Sequence, residues 1–315
     1  MRIVSLLPSA TEILCAIGAG SELVGVTHEC DYPVDARTRP VLTSSLLPAE
    51  LDAAGIDRHV RARVHQGSSL YGLDDNVLAA LEPDLIVTQE LCAVCAVSYE
   101  IVERAVRRLS AGGSAGVPEV VSLEPSSLAD VIDTITFLGA LVGADAGAAQ
   151  LVERMRARID ALRARTAGVE RQRVLLLEWT DPPMSAGHWT PGLLELAAGD
   201  PVLANPGGDS RVLSWDEIVA ADPDVLIVAP CGFGLERAER EVYGLGREQR
   251  RAFRRLRAVG SGNAYVMDGN AYVNRPGPRL VETAELFQLA IDRTAAPFSP
   301  VSGALARYDL GPKAP

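Results

Sequence analysis

Lysine is almost missing from this chain of 315 residues: Lys313 is the only one, and arginine supplies the rest of the 30 basic residues. That bias reflects coding preference rather than chemistry. Positive charge is also outweighed, since 41 acidic residues bring the formal net charge to −11, and the phosphates of nucleic acid would be repelled. The arginines between Arg247 and Arg257 are a local exception and read as a solvated helix face. No run of about eighteen apolar residues occurs, so nothing spans a bilayer. A cleavable leader is missing as well: Met1-Arg2 leads at once into Ile3-Val4-Ser5-Leu6-Leu7, which predicts a cytoplasmic protein, or a periplasmic or extracellular one if a leader has been removed. Five cysteines, an odd number without regular spacing, do not form a disulfide framework. Neither Gly-x-Gly-x-x-Gly nor a Walker pattern follows a strand, which removes the phosphate-binding loops. Ser9, Cys92, Cys231, His28 and His188 offer nucleophiles and bases, yet no Gly-x-Ser-x-Gly elbow accompanies them, and the chain reads as non-catalytic.

What is present is said twice. Residues 80–92 read ALEPDLIVTQELC and residues 220–231 read AADPDVLIVAPC. Arg2-Ile3-Val4-Ser5-Leu6-Leu7 is echoed by Arg173-Val174-Leu175-Leu176-Leu177, and Ala19-Gly20-Ser21-Glu22-Leu23-Val24-Gly25 by Ala198-Gly199-Asp200-Pro201-Val202-Leu203-Ala204. Three matches in one order predict two similar α/β lobes. Strands at 2–7, 23–27, 40–43, 84–89 and 119–123, with helices at 10–18, 75–82, 97–110 and 127–142, give a parallel sheet in the first. Asp75-Asn76 is the expected N-cap of the 75–82 helix. The second lobe reads as strands 173–178, 201–204, 224–229 and 263–267 with helices 191–198, 215–221, 234–243, 246–257 and 278–292. In residues 145–167, Leu151, Met155, Ile159 and Leu162 recur at helical spacing, so this segment is one amphipathic connecting helix. The fold class is therefore α/β, two Rossmann-like lobes with parallel sheets joined by one long helix: residues 1–143, 144–168 and 169–295, with an aperiodic surface tail at 296–315.

Ligands in such sheets sit beyond the carboxyl ends of the strands, and a cleft between like lobes is the expected site. Pro8, Ser9, His28, Cys30, Tyr32, Glu90, Cys92 and Cys95 follow strands of the first lobe. Trp179, His188, Trp189, Cys231, Phe233, Asn274 and Arg275 follow strands of the second. Aromatics make up only 5% of the chain, so their gathering on loops is informative. Pro and Gly neighbours are expected to keep Trp179 and Trp189 out of regular structure, where flat rings suit a broad apolar ligand. Trp215, opening a helix, reads as packing. Cys30, Cys92, Cys95 and Cys231, or three of them with His28 or His188, have the ligand types for a metal or iron–sulfur centre, and small buried thiols are the alternative. A cytosolic metal or iron–sulfur protein is thus the rival reading.

The segment from Ile3 through Pro8-Ser9-Ala10-Thr11-Glu12 to Leu14, the strand Leu23–Thr27 leading to Cys30-Asp31-Tyr32-Pro33, and Glu82-Pro83-Asp84-Leu85-Ile86-Val87 resemble the substrate-binding proteins of cobalamin and iron-chelate ABC importers. Within that group the cobalamin-binding branch is most similar, over residues 2 to about 292. The resemblance implies two Rossmann-like lobes bridged by a helix, binding without catalysis, and an ABC importer permease as partner. Cobalamin or another corrinoid is the implied ligand, with Pro8, Ser9, Tyr32, Trp179, Trp189 and Phe233 against the ring. Asn274 and Arg275 face its amide or phosphate edge, and Glu90 and His188 complete the expected ligand-binding set.

Overall fold

The computed structural model describes residues 1–48, 50–65, 70–89, 99–111, 116–292 and 303–308. The chain divides into two compact units. The first comprises Met1–Leu51, Gly55–Pro125 and Ala129–Arg154; the second comprises 52–54, 126–128 and Met155–Pro315.

In chain order the first unit carries β1 (Ile3–Ser5), α1 (Pro8–Ala16), β2 (Leu23–Val26), β3 (Thr43–Ser45), α2 (Ala53–His65), β4 (Tyr71–Leu73), α3 (Asp75–Leu81), β5 (Leu85–Thr88), α4 (Tyr99–Ala111), β6 (Glu119–Ser122) and α5 (Leu128–Leu141). Its parallel sheet runs β2-β1-β5-β6. Strands covered on both faces read as unbroken apolar runs, and Ile3-Val4 and Leu85-Ile86-Val87 are buried accordingly. Val4, Leu6, Leu42, Leu78, Ile86 and Val102 form one core cluster. The short strand expected near 40–43 lies at β3 and pairs antiparallel with β4. Helix α2 was not expected, because AAGIDRHVRARVH distributes arginine and histidine around the helix and leaves no clear apolar stripe. The N-cap of α3 is Asp74 rather than Asp75-Asn76: its Oδ1 accepts from Asn76 N and Val77 N, both at 3.0 Å.

Helix α6 (Asp145–Thr166) is unbroken over 22 residues, with Leu151, Met155, Ile159 and Leu162 all buried. Residues to Arg154 belong to the first unit and those from Met155 to the second.

The second unit then adds β7 (Gln172–Thr180), β8 (Pro183–Ser185), β9 (Gly187–His188), α7 (Thr190–Leu196), β10 (Gly199–Pro201), β11 (Asn205–Pro206), α8 (Trp215–Ala221), β12 (Val225–Val228), α9 (Leu235–Gly244), α10 (Arg247–Arg255), α11 (Arg257–Gly260), β13 (Ala264–Met267), α12 (Leu280–Ile291) and β14 (Leu305–Arg307). Its sheet runs β10-β7-β12-β13-β14. The β10, β7, β12 and β13 strands are parallel, while β8 pairs antiparallel with β7 and β14 with β13. Two expectations are corrected here. Trp179 lies inside β7, because β8 folds back on that strand and supplies the ladder bonds that carry it to Thr180. The described part of the expected surface tail forms β14, an edge strand of the sheet.

The repeat read in the sequence has a physical form. Helix α3 ends at Glu82 and α8 at Asp222, both in the left-handed conformation (φ 39° and 37°) immediately before a proline that denies them the helical one. Asp84 Oδ2 then accepts from Arg2 N at 2.6 Å, and Asp224 Oδ2 from Arg173 N at 3.0 Å, fastening β5 beside β1 and β12 beside β7. The third echo leads into β2 beside β1 and β10 beside β7.

Candidate functional site

In the first unit, Leu6 N bonds to Val87 O at 2.8 Å, the last rung before the chain turns into α1. Pro8 occupies the first helical position, where its missing N–H is no loss and its fixed φ is helical already. Ser9, one residue on, is buried. Thr11 Oγ1 donates to Ser5 Oγ at 2.8 Å and stands 3.0 Å from Cys30 Sγ, so the Cys30 thiol is drawn into a hydroxyl chain beneath the loop. Past β2, Thr43 Oγ1 lies 2.7 Å from Thr27 Oγ1 and 2.6 Å from His28 Nδ1. His28 Nε2 is 3.3 Å from Glu29 Oε1, and its ring is tilted against Tyr71 at 5.5 Å. The Tyr32 ring is exposed, with 48% of its surface open. Thr88 and Gln89, which end β5, are buried; Glu90, Cys92 and Cys95 lie outside the described residues.

The second unit gathers more of the expected set. Trp179 and Phe233 are buried edge-to-face at 5.3 Å, and the Arg237 guanidinium sits 3.8 Å over the Phe233 ring. Such packing fixes both rings among their neighbours. Trp189, half-buried at the start of α7, stacks edge-on against His188 at 5.6 Å and donates from Nε1 to Val273 O at 2.9 Å. Val273 closes a π-helical turn (Gly269–Val273) that the strand-end loop could not form with a larger residue at its head: a Cβ on Gly269 would lie 2.3 Å from Pro230 O. That turn brings in the polar residues. Asn270 N bonds to Phe233 O at 3.1 Å, Arg275 Nη2 donates to Asn270 Oδ1 at 3.0 Å, and Asn274 Nδ2 donates to Gly269 O at 2.9 Å. Trp189, Phe233, Asn270, Asn274 and Arg275 thus form one connected surface. Trp215 packs on Phe253 at 5.5 Å, away from it in the sequence and in its contacts.

Residues outside the expected set hold this surface in place. Glu178, near the end of β7, places Oε1 2.6 Å from Thr190 Oγ1 and 3.3 Å from Gly187 N, and its Oε2 accepts from Ser210 Oγ at 2.5 Å. Burial pushes its carboxyl above the ordinary range, against the opposing pull of the Ser210, Thr190 and Gly187 hydrogen bonds and of His188. A Cβ at Gly187 would meet Ser210 N at 2.6 Å, so glycine permits the 187–190 and 208–211 segments to touch backbone to backbone. The one sequence signal is a carboxylate directly after four apolar strand residues, Val174 to Leu177.

Of the four thiols in the metal reading, Cys92 and Cys95 lie outside the described residues. Among the described residues, no group of three or more His, Cys, Asp and Glu side chains stands where one ion could be held. Cys30 is buried against Thr11, and Cys231, half-buried, donates its backbone N–H to Glu178 O at 3.0 Å. No helix among the described residues is long and apolar enough to cross a membrane.

Comparison with known proteins places these observations. The family model described as "Periplasmic binding protein" matches residues 3–271. An uncharacterized ABC transporter substrate-binding lipoprotein of Bacillus subtilis is 24% identical over 293 residues, covering 90% of this chain and 77% of the relative. A vitamin B12-binding protein of Salmonella choleraesuis is 26% identical over 234 residues, 72% of each. Among solved structures, a periplasmic heme-binding protein of Pseudomonas aeruginosa superposes with a TM-score of 0.69 at 21% identity, covering 97% of both chains. The cytoplasmic expectation and the iron–sulfur alternative find no counterpart among these relatives.

Proposed function

The chain belongs to the periplasmic binding protein family, and from that membership we propose that it binds a corrinoid of the cobalamin type, without chemical turnover, and delivers it to an ABC importer permease. The observation that carries this reading is the family match over residues 3–271 together with the relative named for vitamin B12 binding. The side chains support it. A corrin is a broad, mostly apolar disc rimmed with amides, and the strand-end loops offer matching chemistry: exposed Tyr32 in the first unit, and half-buried Trp189 with the half-buried Asn274 amide in the second. Pro8 lies at the loop that opens α1 and serves as a further contact. Ser9, Trp179, Phe233 and Arg275 act from below, backing the surface rather than touching the ring, since their side chains are buried. A related metal chelate such as haem is the competing ligand within the same function. Delivery to an importer requires work on the outer side of the membrane.

Titration with cyanocobalamin, followed by tryptophan quenching and by heat, tests the proposal. A one-to-one complex is expected, with Trp189→Ala weakening it about ten-fold, the cost of one aromatic wall. Saturable binding of haemin with none of cyanocobalamin would reassign the ligand, and binding of neither would end the reading.

A further inference from the structure

The second unit contains a buried carboxylate whose hydrogen bonds do not balance if it is ionised. Glu178 Oε1 is 2.6 Å from Thr190 Oγ1 and 3.3 Å from Gly187 N, and Glu178 Oε2 is 2.5 Å from Ser210 Oγ. Thr190 Oγ1 is at the same time 2.7 Å from Gly187 O. Each contact requires a proton between its heavy atoms. The Gly187 amide, the Ser210 hydroxyl and the Thr190 hydroxyl supply one apiece, because a hydroxyl donates once. An ionised Glu178 would leave Thr190 with one proton facing two acceptors, and one pair of oxygens in close contact with nothing between them. A proton on Glu178 Oε1 completes the set: Glu178 donates to Thr190, Thr190 donates to Gly187 O, and Ser210 donates to Glu178 Oε2.

Burial favours that state, and few charges oppose it. Among the described residues the titratable neighbour acting on Glu178 is the His188 imidazole, which pulls the other way; its Nε2 lies 3.5 Å from Asp209 Oδ1, an exposed carboxylate on the facing loop. From the end of β12, Cys231 bonds to the Glu178 backbone oxygen and leaves the carboxyl alone. Arg211, the remaining charged group of the 208–211 loop, is directed to Glu217 at 3.8 Å. Burial disfavours the anion and lifts the carboxyl above its ordinary range.

The structure assigns to Glu178 a positioning role: as a neutral acid it ties the Gly187–Thr190 segment to the Ser210 loop and so fixes the indole of Trp189. Trp189 is held on its other side by Val273 O, so a shift of the segment moves the ring relative to Asn274 and Arg275. The consequence for ligand affinity rests on the corrinoid reading above, whereas the proton count does not. The sign follows from a folded-state value raised above the unfolded one. The clasp is complete at low pH and is lost as pH rises through the raised value.

The full chain labelled with fluorotryptophan tests this by 19F NMR without ligand between about pH 4 and about pH 9, a span that brackets raised carboxylate titrations. One resonance, identified by its absence from Trp189→Phe, is expected to shift in a one-proton transition above the ordinary carboxylate range. In Glu178→Gln, whose amide donates to Thr190 and accepts from Ser210 as the neutral acid does but offers no acceptor to Gly187 N, that resonance stays independent of pH throughout. A wild-type resonance that shows no transition overturns the assignment whatever the variants do, and so does a transition that survives in Glu178→Gln. Cyanocobalamin affinity is expected to fall roughly five-fold across the transition in the wild type, the size of one lost hydrogen bond, and to stay flat in Glu178→Gln. Failure of the wild type to bind cyanocobalamin at any pH would sink the corrinoid reading and leave the positioning role to the NMR result alone.

Discussion

The two units solve one folding problem with the same latch and then diverge. Each starts with an arginine whose backbone N–H is held by the aspartate of a Pro-Asp turn, and whose side chain caps a carbonyl at the end of the preceding helix: Arg2 Nε to Leu81 O at 2.8 Å, Arg173 Nη1 to Asp222 O at 3.1 Å. The first unit adds little to this: its central strand is three residues long. In the second, the corresponding strand runs nine residues, gains β8 alongside it, and ends in the Glu178 clasp. Its latch is reinforced too, since Arg257 Nη2 reaches Asp224 Oδ1 at 2.9 Å and Arg257 N donates to Asp222 Oδ1 at 2.9 Å. The repeat thus specifies the sheet, and the additions specify how firmly its strand-end loops are held.

Close backbone approaches give the sharpest way to break the comparison, one unit at a time. A Cβ on Gly147, in α6, would lie 1.9 Å from Ile17 O, and one on Gly269 would lie 2.3 Å from Pro230 O. Helix propensity alone would reward Gly147→Ala by about 1 kcal/mol. Collision with a carbonyl that has no room to retreat reverses the sign, and a net loss of about 3 kcal/mol is expected, with about 2 for Gly269→Ala. Urea unfolding measures the totals. Amide exchange should report lost protection in the first unit for Gly147→Ala and in the second for Gly269→Ala; loss spread evenly over both would mean they do not fold as separate units.

The latches come next in size. Asp224→Ala removes acceptors from both Arg173 and Arg257, while Asp84→Ala strips one from Arg2 on an exposed turn. Costs of about 2 and about 1 kcal/mol are expected from the difference in partners and burial. Equal costs would show that the reinforcement by Arg257 contributes nothing.

The parts of this architecture that the sequence revealed are those built from near neighbours. The Pro-Asp turns, the apolar strands and the 151-155-159-162 stripe each repeat within a few residues, and the parallel sheets follow from them. What escaped depends on distant partners. Helix α2 has no stripe to display, and β14 is a strand only because β13 offers it an edge. Trp179 looked like a loop residue because its neighbours are prolines, yet a returning strand made it part of the ladder. At the site, Phe233, Asn274 and Arg275 of the second unit are legible as residues that follow strands. The clasp is not, since Glu178 reaches across 12 residues to Thr190 and 32 to Ser210.

The smallest expected effect concerns the helices that precede the two latches. Helix α3 is capped by Asp74 alone, whereas α8 carries a reciprocal capping box: Ser214 Oγ accepts from Glu217 N at 3.2 Å, and Glu217 Oε2 accepts from Ser214 N at 2.7 Å. The backbone and hydroxyl bonds from Ser214 hold the Glu217 carboxyl below the usual range, a charged-form preference that burial barely opposes. A folded value below the unfolded one means that this contribution is present above the unfolded value and fades as pH falls through the folded one. The second unit should therefore lose a small increment of stability on acidification that Glu217→Gln no longer loses, while Ser214→Ala removes it at every pH. Unfolding of the three proteins between about pH 6 and about pH 3, which brackets ordinary carboxylate titration, decides the matter. If Glu217→Gln follows the wild-type slope, the box is a geometric coincidence and the two capped helices are equivalent after all.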